Sequence, residues 1–96
     1  MSAPLSNELF HGTNASFKVG DVIGPDPSDE GGYSVAHASE SRSYAASHGK
    51  NVYKVVPVNK KEAKAATRRW RNEGPEFSMK DMTHVSDKGF KVVGQV

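Results

Sequence analysis

Four histidines, His11, His37, His48 and His84, are the side chains best suited to chemistry near neutral pH in this 96-residue chain. None stands at the i, i+4 spacing from another histidine or an acid that a helical zinc motif of the HExxH kind requires. Glu8 and His11 are three apart on a segment that reads as a strand, which sends their side chains to opposite faces. No metal site is therefore expected. Cysteine is absent, which removes disulfides, thiol nucleophiles and cysteine-based zinc sites together. The 11 serines include no GxSxG elbow, and the glycine signatures GxGxxG and GxxxxGK[ST] are missing too. What remains is one phrase, Leu9-Phe10-His11-Gly12-Thr13-Asn14. A strand would fix the imidazole of His11, and Gly12 would let a ligand approach the backbone closely. Thr13 and Asn14 add a hydroxyl and an amide at the same turn. The phrase is equally compatible with a strand-end histidine that only caps a turn.

Positioning these groups falls to short elements. Glu8–His11 reads as a strand ending at Gly12, and Phe17–Ile23 as a β segment containing a turn. Residues 24–32 (GPDPSDEGG) are loop by composition. Tyr33–His37 follows as a strand. Ser39 then offers an N-cap oxygen to a helix over Glu40–His48, with Gly49 beyond its end. Val52–Val58 is the strongest strand, closed by Pro57. Asn59 and Glu62 form a near capping box for a second helix, whose Ala63, Ala66, Thr67 and Trp70 share one face. Gly74-Pro75 ends that helix. Met82–Val85 and Phe90–Val96 are strands joined at Asp87-Lys88-Gly89. The valine pattern predicts that 52–58 and 90–96 are neighbours in one sheet, with Val55 and Val92 buried.

Composition points the same way. Valine occurs 11 times against 2 Leu and 1 Ile, and β-branched residues favour pleated sheet, which argues against a helical bundle. Leu, Ile, Val and Phe make only 18 of 96 residues, low enough to raise disorder. The net charge of +2 argues against it. The expected fold is a small α+β domain on an antiparallel or mixed sheet with one or two short helices. It forms one unit over 1–96, with 1–7 expected to be flexible. No apolar run approaches the roughly 20 residues of a membrane span. Residues 1–6 lack a basic, then apolar, leader, and with no cysteine a cytoplasmic setting is expected. Charge is divided: residues 1–50 hold 3 basic and 6 acidic side chains, residues 51–96 hold 10 and 5. The excess sits in Lys60, Lys61, Lys64, Arg68, Arg69 and Arg71, with Glu62 the only acid among them. Such a stretch attracts phosphates or acidic proteins, and is also what an ordinary solvated helix face looks like.

In order along the chain, LFHGT (9–13), FKVGDVI (17–23), YSVAHASESRSYA (33–45), NVYKVVPV (51–58) and FKVVGQV (90–96) resemble the rifamycin-type ADP-ribosyltransferases. These small bacterial enzymes move ADP-ribose from NAD to a hydroxyl of the antibiotic. The resemblance spans nearly the whole chain and implies an ADP-ribosyltransferase-like split sheet with a cleft for NAD. It places His11 on the histidine that bonds the NAD ribose, and Gly12 and Thr13 on neighbours that touch the adenosine side. Tyr33 falls on the tyrosine that stacks on nicotinamide. Tyr44, eleven residues on, reads as an aromatic on the buried face of the first helix.

The departures bear on activity. The family's Asp, which stabilises the cationic ribose as nicotinamide leaves, falls near Lys64, and Glu62 is the nearest acid. Val56 and Gln95 each stand where the family has Glu, and the loop between Ile23 and Tyr33 is short, which makes rifamycin a poor substrate. Two functions stay open. One is transfer of ADP-ribose to another acceptor, with His11, Tyr33 and Glu62 as the catalytic set. The other is a degenerate version of the fold that binds an acidic protein or a nucleic acid. Its partner surface would be Lys60, Lys61, Lys64, Arg68, Arg69, Arg71 and an exposed Trp70.

Overall fold

Val55 and Val92 stand opposite each other in adjacent antiparallel strands, and each is 1% exposed. In the computed structural model, which describes residues 8–25, 35–74 and 76–96, the strands are β1 (Leu9–Thr13), β2 (Val22–Ile23), β3 (Ala36–Ser39), β4 (Asn51–Pro57), β5 (Thr83–Ser86) and β6 (Phe90–Gln95). Two helices, α1 (Arg42–Ala46) and α2 (Lys60–Glu73), join them. The sheet runs β2-β6-β4-β1-β3-β5, and every pairing is antiparallel. The fold is thus α+β, with the Val-rich strands as neighbours. Residues 1–7 and the loop expected at 24–32, beyond its first two residues, lie outside the described residues, as does Pro75.

Alternation builds the core. Leu9, Tyr53, Val55, Phe90 and Val92 turn to one face of the sheet, where they pack with Ile23, Ala36 and Ala38. Phe17 closes over this cluster, its ring edge-on to Tyr53 at 5.6 Å. A second cluster, Val35, Ala66, Trp70 and Val85, forms where α2 crosses β5. The helical period works as expected here, burying Ala63, Ala66, Thr67 and Trp70 along one stripe. Asn59 caps α2, its Oδ1 accepting from the Glu62 amide at 2.9 Å. The Glu62 carboxylate does not return to the cap, however, and its destination is given below.

The first helix differs from expectation at both ends. Ser39 stays in β3, paired to Phe10 and Thr83, so the helix begins two residues later. Ser41 is the N-cap, accepting from the Tyr44 amide at 3.2 Å. At the other end, Ser47 Oγ and the His48 ring both bond Tyr44 O and stop the winding early. The expected β5–β6 turn forms, with Gly89 at φ +98°, a backbone region that side chains disfavour. Ser86 Oγ accepts from the Lys88 and Gly89 amides there, at 3.1 and 3.0 Å.

One edge of the sheet is closed in an uncommon way. Among the described residues β5 has no strand beyond it, so alternate backbone groups point outward. α2 lies along this edge and supplies side chains to them. Thr67 Oγ1 donates to Val85 O at 3.1 Å and accepts from Val85 N at 3.0 Å. Arg71 donates to Thr83 O at 3.0 Å and Asp81 O at 2.8 Å. Glu62 accepts from the Asp87 amide at 2.9 Å. Three helix residues stand in for a seventh strand.

Candidate functional site

A cleft of about 690 Å³ opens at the end of β1 between the sheet, α1 and the C-terminal half of α2. Its volume lies within the range of small-molecule sites. His11 enters it from β1. Its Nδ1–H donates to His37 O at 2.7 Å, and because a carbonyl only accepts, Nδ1 carries the proton. Nε2 is left as the ring's remaining polar atom. Burial lowers the His11 pKa from 6.5, the His37 carbonyl opposes the shift, and nearby His48 adds to it. At neutral pH the ring is therefore uncharged, with Nε2 an acceptor.

His48, two residues past the end of α1, repeats the arrangement. Its Nδ1 bonds Tyr44 O at 3.0 Å, and its ring meets the Tyr44 ring edge-on at 4.6 Å. Tyr44, expected in the core, is half-buried and forms part of the cleft wall. The short helix leaves too little cover to enclose it. On the α2 side, Trp70 stands edge-on to His37 at 5.8 Å and to Phe77 at 5.7 Å. Lys80 Nζ lies 5.9 Å from the Trp70 ring and bonds Gly74 O and Glu76. The cleft wall is thus aromatic and imidazole-rich. Among the described residues, no carboxylate lines it, and no group of three or more His, Asp or Glu is placed to hold a metal.

Of the residues singled out in the sequence, His11, Gly12 and Thr13 line this cleft. Gly12 has a second constraint: a Cβ there would lie 1.7 Å from the Ala45 carbonyl oxygen. The glycine is required by the close approach of β1 and α1, whatever a ligand does. Tyr33 lies outside the described residues.

Glu62 is not with them. Its carboxylate accepts from Ser86 Oγ at 2.6 Å and from the Asp87 and Lys88 amides at 2.9 and 3.4 Å. Partial burial raises its pKa, but the Ser86 hydroxyl, the two amides and the Lys88 charge outweigh that and hold it below 4.5. The carboxylate is committed to the β5–β6 turn and does not line the cleft. The expected catalytic placement of Glu62 is corrected accordingly.

The basic set divides as well. Trp70 is 3% exposed, so its ring offers nothing to a partner on the outer surface. It belongs to the apolar stripe that the helical period puts against β5. Arg71 braces the β5 edge, and Arg69 pairs with Asp87 at 3.3 Å. Lys60, Lys61, Lys64 and Arg68 are exposed. His84, the remaining histidine, bonds Glu40 at 2.6 Å and does not line the cleft.

Sequence reasoning missed His37, His48, Tyr44 and Phe77 as cleft residues. The i, i+4 spacing of Tyr44 and His48 was a usable signal. Phe77 had none, because it reaches the cleft from a loop. Among the described residues, no helix is long and apolar enough to cross a membrane. Compared with protein-family models, curated proteins and solved structures, the chain matches none.

Proposed function

We propose that this chain is an ADP-ribosyltransferase-like protein that binds NAD in the β1 cleft and turns it over weakly or not at all. The carrying observation is His11, held by its Nδ1–H on His37 O in the wall of an aromatic cleft. A neutral Nε2 accepts from a ribose hydroxyl, and aromatic walls suit planar rings. Cleavage of the glycosidic bond puts positive charge on the ribose, and the nearest acid expected from sequence is engaged at the β5–β6 turn. Loss of one such preorganised group costs about 10²–10³-fold in rate. The cysteine-free composition supports a cytoplasmic setting. The test is calorimetric titration with NAD at neutral pH, alongside mass spectrometry for released nicotinamide. Saturable binding weakened at least tenfold by His11→Ala is expected; no binding at millimolar NAD defeats the assignment.

A second function is favoured by the same placement of Glu62. Turned to the β5–β6 turn, it leaves the outer face of α2 with uncompensated positive charge, suited to an acidic macromolecule.

A further inference from the structure

We infer that the outer face of α2 is a binding surface for the phosphate backbone of duplex DNA. This rests on the second function above and is independent of NAD binding.

Lys61, Lys64 and Arg68 lie along the stripe opposite the buried Ala63, Ala66, Thr67 and Trp70, with Lys60 beside them. At the 1.5 Å rise of an α-helix, Lys61 and Arg68 are about 10 Å apart along the axis. Among the described residues, none of these side chains is paired with a carboxylate; the ion pairs there are Lys54–Glu8, Arg69–Asp87, Lys80–Glu76 and His84–Glu40. Glu62, the one acid in the run, gives its carboxylate to Ser86 and the turn amides. The sequence alone would let Glu62 neutralise part of the face. The structure turns it away.

The nature of the face selects its partner. Protein interfaces depend on an apolar core with aromatic or arginine anchors in pockets. Here the only apolar side chain among the cations is Ala65. Single strands are held by stacking on exposed aromatics, and the helix's one aromatic, Trp70, is buried. Readers of RNA duplexes contact 2′-hydroxyls with polar side chains, and Thr67, the only hydroxyl in the run, is buried against Val85. A row of exposed cations along one helix face, with no exposed aromatic among them, suits the regularly spaced charge of a DNA duplex.

Fluorescence anisotropy with a labelled 20-base-pair DNA duplex, across a potassium chloride series, tests this. Engagement of Lys60, Lys61, Lys64 and Arg68 predicts a log–log salt slope of about −3.6, or roughly 150-fold weaker binding at 200 mM than at 50 mM. Lys61→Ala, Lys64→Ala and Arg68→Ala should each make that slope shallower by about 0.9. All three positions are exposed, and circular dichroism checks that the fold is retained. Absence of binding at 20 mM salt, or a slope unchanged in the triple variant, overturns the inference. Tighter binding to an RNA duplex or to a single strand of equal length also overturns it. Poly-glutamate separates the two levels: if it binds through these residues and DNA does not, the basic face stands as a protein site and the DNA assignment fails. If neither binds, both fail.

Discussion

His11 and Glu62 carry opposite consequences of one rule, that a fold favours the protonation state it can accommodate. The unfolded His11 takes up a proton near 6.5 and the folded one only at lower pH. Its contribution to stability is therefore present above 6.5 and is lost as pH falls through the lowered value. Glu62, held below 4.5 by the turn, contributes above 4.5 and loses that contribution as pH falls further. Urea unfolding should show a decline as pH falls below 6.5 that shrinks in His11→Gln, and a separate decline below 4.5 that shrinks in Glu62→Gln. At neutral pH, Glu62→Gln should destabilise the protein by about 1–2 kcal/mol, because three charge-assisted contacts weaken together. NAD binding should be unaffected by it, since the carboxylate does not line the cleft. The His-Gly-Thr phrase located the cleft because strand and turn are neighbouring residues. The destination of Glu62 was not legible, since Asn59 and Glu62 fit a capping box and Ser86 is 24 residues away in sequence.

At the scale of elements, the boundary between β3 and α1 turned on which serine caps the helix. Ser39 and Ser41 are chemically equal candidates; pairing of Ser39 with Phe10 and Thr83 decides between them. β4, β6 and α2 were legible because each carries its own period, two for the strands and 3.6 for the helix. Packing between elements was not. Gly12 reads as a ligand-facing glycine, yet the Ala45 carbonyl fills the space a methyl group would need. Gly12→Ala should therefore displace α1, costing about 1–3 kcal/mol by overpacking. The resonances of His48, which is bonded to Tyr44 O of α1, should shift in the NMR spectrum as the helix moves. Thr67→Val keeps the size of the side chain and removes its hydroxyl, leaving Val85 N–H and C=O unpaired in a buried position. A loss of about 1–3 kcal/mol per unsatisfied group is expected, read as a lower denaturant midpoint.

Over the whole molecule, sheet neighbours are remote in sequence: β2 pairs with β6, and β1 with β4. Such non-local pairing predicts folding in about milliseconds to seconds, measurable by stopped-flow tyrosine and tryptophan emission. The division of charge between the halves was legible by counting, but its display on one helix face depended on which side chains the fold consumed. The helix along β5 also bears on how this protein fails. An outward-facing strand margin is a template, and a molecule whose α2 has detached presents Thr83–Ser86 to any strand that arrives. The arriving strand can come from a second molecule, so damage at this seam becomes contagious instead of private. Thr67→Val should then lose soluble protein in proportion to its concentration, visible as light scattering at temperatures where dilute samples stay clear. The cations on the far side of the same helix oppose this while it is docked, because like-charged molecules keep their distance until salt screens them.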